Sequence, residues 1–342
     1  MEITCQEEKS ASEWDRYVGD HPESVVYHRW GWKEVVEESF GHRTYYLSAR
    51  QEGRIVGILP LVLMKSRLFG RFLVSMPFFN YGGLVSDRPE AEARLLAEAE
   101  TIVKKEKVDF VELRHFRKRP QLSATKEHKV TMILNLEKDP EGQWKALGTK
   151  LRNHIRKAQK SNLSFSIGGA ELLADFYQVF SVNMRDLGTP VYSKRLFERI
   201  LARFDDSTKI LSVRYQDRPV AAGLVLGFRD TLEIPWSSSI REYNFLCPNT
   251  LLYWEALRWA ISSGFERFDF GRSTPGEGTY KFKEQWGAKP VPLYWQYLLP
   301  VGAPLPDLSP KNAKYRLAIG LWRRCPIRLT QWLGPRIVKH IP

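Results

Sequence analysis

Residues 43–66 read RTYYLSARQEGRIVGILPLVLMKS. β-Branched residues, aromatics and leucine fill both ends, and Glu52-Gly53 between them is a pair of the kind that closes a hairpin. Two strands are expected, Arg43–Arg50 and Arg54–Ser66. Further along, Tyr81-Gly82-Gly83 breaks the chain, and residues 89–107 carry Ala93, Leu96, Ala99, Ile102 and Val103 at helical spacing. Residues 108–114 then read as a short buried strand. The order returns later in the chain. Residues 208–215 and 220–227 read as strands around Gln216-Asp217, residues 249–263 as a helix and residues 265–270 as a strand.

The correspondence reaches individual residues. Arg50-Gln51-Glu52-Gly53-Arg54-Ile55-Val56-Gly57 is echoed by Tyr215-Gln216-Asp217-Arg218-Pro219-Val220-Ala221. Asp109-Phe110-Val111-Glu112-Leu113 is echoed by Arg267-Phe268-Asp269-Phe270. A separation of about 160 residues is far too long for a solenoid repeat and reads as duplication of a domain. Asp139-Pro140 ends a strand and Trp144 opens a helix, which puts the boundary there. The expected organisation is therefore 1–138, 139–299, and a tail over 300–342.

Composition narrows the function classes. At 43% hydrophobic and 13% aromatic, the chain can bury a full core, which excludes wholesale disorder. Cys5, Cys247 and Cys325 lie far apart with no CxxC spacing, and the seven histidines form no HExxH. Neither a disulfide framework nor a bound metal is expected. The polar, acidic start (residues 1–9) carries no secretory signal, and nowhere do about 18 apolar residues run uninterrupted. The expected location is the cytoplasm. Lys and Arg number 52 against 39 Asp and Glu, a net charge of +13 that suggests a polyanionic partner. The excess is concentrated. Lys145, Lys150, Arg152, Arg156, Lys157 and Lys160 stand together without an acid. Lys311, Lys314, Arg316, Arg323, Arg324, Arg328, Arg336 and Lys339 are set in the tail against Asp307 alone.

A hairpin feeding a central helix and another strand resembles the GNAT N-acyltransferase fold, so the fold class expected is α/β, two tandem GNAT-like domains with mixed sheets flanked by helices. Such folds usually hold CoA pyrophosphate on a Gly-rich turn before the central helix. The corresponding turns here, Tyr81-Gly82-Gly83-Leu84-Val85-Ser86 and Phe245-Leu246-Cys247-Pro248-Asn249-Thr250, lack the Arg/Gln-x-x-Gly-x-Gly/Ala pattern. That counts against acetyl-CoA as donor.

Residues 268–288 read FDFGRSTPGEGTYKFKEQWGA. The stretch resembles the signature of the Fem aminoacyltransferases, and more narrowly the FemAB-like proteins of exosortase and exopolysaccharide loci. These carry a strand ending in Asp-x-Gly, a Gly-rich loop, and aromatic-x-Phe-Lys-x-x-Phe/Trp-Gly opening a helix. The general resemblance spans residues 10–299. It implies that Lys283, at the start of that helix, stabilises the oxyanion formed when an amine attacks an aminoacyl ester, with Phe282 packed around it. It also implies substrate contacts for Asp269, Arg272 and Tyr280.

Three other segments take roles from the same resemblance. Apolar residues at 144, 147, 151 and 155 define a buried stripe on a helix over 144–160, leaving Arg152 and Arg156 on one open face. The family places a basic segment there, suited to the phosphates of an acceptor or a tRNA. Tyr27-His28-Arg29-Trp30-Gly31-Trp32-Lys33 resembles a Trp-containing helix start whose lysine, here Lys33, contacts phosphate; His28 reads as a packed or capping residue. Met184-Arg185-Asp186-Leu187-Gly188-Thr189-Pro190-Val191-Tyr192 stands where the family has an acceptor-binding loop, with a left-handed cap at Gly188 and cleft roles for Arg185 and Tyr192.

The expected reaction is transfer of an aminoacyl or acyl group to an amine of a peptidoglycan, cell-envelope or exopolysaccharide precursor, across a cleft between the two domains. No cofactor is expected. The expected donor is aminoacyl-tRNA, with acyl-CoA as the alternative, although no gap between elements would hold the long helical hairpin that several tRNA-reading family members carry. Two other readings stay open, a CoA-dependent N-acyltransferase acting on a sugar nucleotide and a non-catalytic tRNA or nucleic-acid binder. In the tail, three prolines over 300–306 make an extended linker. Beyond it, Trp322 and Trp332 among arginines suggest contact with the anionic inner face of the cytoplasmic membrane, Pro326 and Pro335 dividing the segment into short helices. Packing of the tail on the second domain is the other reading.

Overall fold

The computed structural model of the chain describes residues 1–5, 10–66, 70–300, 302–306 and 313–341, the side chains of 313–317 apart. The chain divides into two compact units. One comprises Met1–Lys129, Pro292–Leu308 and Lys339–Pro342; the other comprises Val130–Val291 and Ser309–Val338. The first two changes of unit, after Lys129 and after Val291, fall inside strands.

The first unit opens with β1 (Glu2–Cys5), α1 (Ala11–Asp20) and α2 (Gly31–Phe40), then the expected hairpin of β2 (Arg43–Gln51) and β3 (Arg54–Ser66). Glu52 and Gly53 both have positive φ, 51° and 78°, the turn whose twist matches that of paired strands. β4 (Gly70–Val74), β5 (Val85–Ser86), α3 (Pro89–Glu106), β6 (Phe110–His115) and β7 (Ala124–Asn135) follow. α3 has proline in its first turn with Glu90 and Glu92, and Lys104 and Lys105 in its last, so side-chain charge complements the helix dipole at both ends.

The second unit contains α4 (Pro140–Ala146), α5 (Thr149–Gln159), β8 (Leu163–Gly168), α6 (Leu173–Leu187), α7 (Lys194–Arg203), β9 (Thr208–Tyr215), β10 (Arg218–Phe228), β11 (Thr231–Ser239), α8 (Pro248–Ser262), β12 (Arg267–Ser273) and α9 (Gly278–Glu284). β13 (Lys289–Leu298) leads back to the first unit, and α10 (Ala313–Trp322) and α11 (Ile327–Val338) end the chain.

Apart from β5, which pairs with β3, the strand orders of the two units correspond. The first runs β1-β2-β3-β4-β6-β13 and the second β8-β9-β10-β11-β12-β7. Neighbours are antiparallel except β4 with β6 and β11 with β12. Those two pairs are joined through α3 and α8, the crossover helices that parallel strands require. β3 and β10 are buried along almost their whole length, so both of their faces are covered. Leu59, Leu61, Leu95 and Val111 anchor one core, and Val225, Leu252, Leu257 and Phe268 the other.

Several expectations change in detail. The helix expected over 144–160 is two helices, because Leu147 and Gly148 adopt extended ψ of 142° and 149°. Its stripe holds all the same, with Leu147, Leu151 and Ile155 buried. The boundary expected at 138/139 falls after β7, whose residues from Val130 onward already pair with β12. His28 is a packed residue. Its Nδ1 accepts from the Val25 amide at 2.9 Å and its Nε2 donates to the Gly83 carbonyl at 2.9 Å, tying the Gly82-Gly83 turn to the approach to α2. Burial lowers its pKa to about 4, so the ring is neutral.

The tail is not a single separate segment. Residues 313–338 belong to the second unit and 339–342 to the first. The break expected at Pro326 is present; the one expected at Pro335 is not, since that residue lies inside α11. α11 rests on α6, where Gln331 donates to Ser181 at 3.1 Å. A Cβ on Gly334 would stand 2.8 Å from both the backbone N and O of Val191, so only glycine permits this approach. Val301, Asp307, Lys311 and the acidic start over 6–9 lie outside the described residues, as do the side chains of Lys314, Arg316 and Leu317. Among the described residues no helix is long and apolar enough to cross a membrane.

Candidate active site

The parallel strands β11 and β12 pair at only three positions, ending at Glu233 opposite Asp269. Beyond that point β11 continues to Ser239 and β12 to Ser273 without pairing each other, so the sheet splays. On its other side β12 is bulged against β7 between Asp269 and Arg272. The Asp269 carboxylate holds the bulge. Its Oδ1 accepts from Thr131 Oγ1 at 2.5 Å and from the Gly271 amide at 2.7 Å, with Gly271 in the left-handed region at φ 75°. A carboxylate thus does what a neighbouring strand's carbonyl does elsewhere in the ladder.

The loop after β12 turns at Thr274 to Glu277 and enters α9. Lys283 lies in the last turn of α9, not at its start as expected. The side chain instead reaches back to the strand. Nζ donates to the carbonyls of Gly271 and Arg272, each at 2.9 Å. Lys283 is only 8% exposed. Burial lowers its pKa to about 8, while the carboxylates of Asp269 and Glu233 act in the opposite sense. An ammonium has three N–H groups, and the two carbonyls occupy two of them.

Asp269, Gly271, the Arg272 carbonyl and Lys283 therefore form one constellation. Phe282 packs beside it, 5.2 Å from the Tyr253 ring and 6.2 Å from Trp286, and Tyr280 packs against the same core. The Arg272 side chain is exposed. Tyr192 is placed toward the open end of β11, its ring 6.5 Å from Trp236. Arg185, near the end of α6, spends two donors on Asp186. Gly188 caps that helix at φ 80°, as expected. On α5, Arg156 is exposed and sits 5.3 Å above the Trp144 ring, while Arg152 is half-buried and reaches Thr149. In the first unit, Lys33 donates to both oxygens of Glu37 at 2.8 Å. Glu233, Thr131 and Tyr253 had no role in the sequence reading. Glu233 was detectable in principle, as an acid between Leu232 and Ile234.

The acetyltransferase (GNAT) domain family matches residues 147–284, which include the splay, the bulge and α9. The chain carries a GNAT acyltransferase domain. The protein is an acyltransferase, and the GNAT domain ends on the helix that bears Lys283. Among solved structures, FemX is similar over 87% of this chain and 98% of its own, at 15% identity and a TM-score of 0.68. The C-terminal domain of a putative lysylphosphatidylglycerol synthetase from Agrobacterium fabrum covers 92% of this chain and 94% of its own, at 10% identity and a TM-score of 0.57. A tandem GNAT protein from the clavulanic acid biosynthesis pathway covers 86% and 97%, at 12% identity and a TM-score of 0.55. At such identities the likeness is one of fold, and it bears out the tandem arrangement surrounding the GNAT domain. No curated protein matches the sequence.

Proposed function

We propose that the protein transfers an aminoacyl group to an amine of a peptidoglycan, cell-envelope or exopolysaccharide precursor, with Lys283 stabilising the oxyanion. The observation that carries this reading is the Lys283 ammonium, buried at the splay and held by two carbonyls so that one N–H remains for a third acceptor. An amine attacking an ester or thioester carbonyl creates negative charge on oxygen, and a fixed cation in a dry site favours that state. Asp269 acts through the bulge, keeping the Gly271 and Arg272 carbonyls where they aim the ammonium. Arg152 and Arg156 would meet phosphates of the donor or acceptor.

The choice of aminoacyl-tRNA over acyl-CoA is supported by the entry to α8. Pro248 in its first turn has no N–H, and the Thr250 amide already donates to the Cys247 carbonyl at 3.1 Å. A pyrophosphate cradle needs such amides free. The names of two similar structures, FemX and lysylphosphatidylglycerol synthetase, point to envelope chemistry as well. The test is to offer the purified protein charged tRNA and acyl-CoA in parallel, with an amine-bearing lipid-linked precursor as acceptor. Deacylation of the tRNA that depends on acceptor supports the reading. Release of free CoA with the tRNA left charged overturns it in favour of a CoA-dependent N-acyltransferase.

A further inference from the structure

α11 has two faces. Thr330, Gly334 and Val338 are buried on one, toward α6. The other carries Arg328, Trp332 and Arg336 at four-residue spacing, with Leu329 and Ile337 alongside, all exposed. Trp332 is 58% exposed, and Arg336 lies 4.4 Å over its ring. Leu321, at the end of α10, is 67% exposed, and the adjoining Arg323 and Arg324 are exposed too. Arg323 donates to the Leu187 carbonyl at 3.2 Å, and Leu187 is itself an exposed leucine. Residues 318–341 contain Arg323, Arg324, Arg328, Arg336 and Lys339 and no acid. None of these five side chains meets a carboxylate among the described residues.

We propose that this face of α10 and α11 docks the enzyme on an anionic lipid bilayer, its arginines among the headgroups and Trp332, Leu329, Leu321 and Ile337 at the acyl boundary. Apolar residues interleaved with arginine on one helical face suit the interfacial layer of a membrane, where each side chain finds its own environment within a few ångströms of depth. The competing occupants fit less well. A second copy would bring like charges face to face, and a nucleic acid would use the arginines and leave leucine and isoleucine with nothing to bury against. The inference is independent of the role given to Lys283.

The experiment uses the full chain with vesicles of phosphatidylglycerol and phosphatidylcholine, and with phosphatidylcholine alone, read by co-sedimentation and tryptophan emission. Binding is expected only to the anionic vesicles, with a blue shift, and to weaken as salt is raised. Leu329→Ala with Trp332→Ala, and separately Arg324→Gln with Arg328→Gln, are each expected to weaken it on the order of tenfold. Both pairs lie on the open face, so unchanged circular dichroism and melting temperature would confirm that the fold is intact. Free phosphate at matched concentration should not compete. Lys283→Ala should bind vesicles like the parent. Anionic vesicles left unbound at low salt, or bound by both double variants as tightly as by the parent, would overturn the proposal. So would tRNA binding that the arginine pair abolishes while vesicles fail to bind, or a dimer that the Trp332 variant dissociates.

Discussion

Where β4 and β6 part after Val74 and Glu112, a complete ion pair fills the opening; where β11 and β12 part after Glu233 and Asp269, Lys283 stands against neutral carbonyls. In the first unit Arg114 donates to Glu112 through two nitrogens at 2.8 Å and to the Phe79 carbonyl at 2.6 Å. Tyr297 donates to the other Glu112 oxygen at 2.9 Å, and the Trp295 ring lies 4.4 Å from the guanidinium. Both charged residues are at most 2% exposed. A buried pair in which acid and base answer each other directly is a fixture of the fold. The second unit keeps the same strands and leaves its cation a spare N–H. On the proposed reading, the polar contents of the two openings mark the first as structural and the second as the reacting site.

The largest effect is expected at Arg114. Arg114→Met would leave Glu112 buried without a counter-charge and should cost about 3–5 kcal/mol, read as a lower urea midpoint. Adding Glu112→Gln should restore much of that loss. A neutral Arg114→Met would mean that the first opening is not held by its ion pair. Lys283→Ala is expected to behave in the opposite way, with turnover about a hundredfold lower, or about 2.7 kcal/mol in the barrier, and a nearly unchanged midpoint. Wild-type turnover in that variant would remove the distinction between the halves.

Protonation sharpens the contrast further. His28 and His115 are buried neutral in the first unit, with pKa values lowered to about 4 and about 3. The unfolded chain binds their protons below the ordinary histidine range near 6.5, so stability falls as pH drops from there toward 4. The loss should approach about 1.4 kcal/mol per pH unit for each histidine, and His28→Gln should flatten the curve. Lys283 follows the same sign in a higher pH window. With a folded pKa near 8 against an ordinary 10.5, its burial penalty is present below pH 8 and lifts as pH rises. Turnover should therefore fall above about pH 8, as the ammonium is lost, while stability gains from this residue. A rate that keeps climbing past pH 9 would argue against a cationic role. The smallest effect is expected on α5, where Arg152→Ala with Arg156→Ala should raise KM a few-fold and flatten its salt dependence without moving the melting temperature.

The hairpins, the crossover helices and the Asp269–Lys283 stretch were legible because each is written locally. Turn residues, a 3.6-residue period and a run of glycines need no partner to be read. Less was visible where the structure depends on distant pairing. β13 gives little sign of its place, since Tyr294 to Leu298 is specified by the ladder with β6. Lys283 was identified through a motif, but its position at the end of α9 depends on Gly271 and Arg272 as acceptors, which no periodicity reveals. Gly148 is a similar case, since a single glycine within a good helical stripe reads as tolerated until its ψ is known. The tail showed its charge and its tryptophans, yet the buried face of α11 rests on Gly334, whose lack of a side chain looked like an absence of information. For the same reason, deleting residues 312–342 would strip a packed helix from α6, and substitutions on the open face are the cleaner probe.

β7 sets a rule for dissecting the chain. Its residues from Val130 to Asn135 are hydrogen-bonded along β12. A fragment starting at 139 would contain every catalytic side chain proposed here and would still present β12 with a bare row of amides and carbonyls. Such a row is a template. It recruits extended segments from neighbouring molecules, and the fragment would be expected to precipitate or to borrow a strand from another copy. Starting the fragment at 124 supplies the missing strand, so solubility of the two fragments should differ sharply although they differ by fifteen residues.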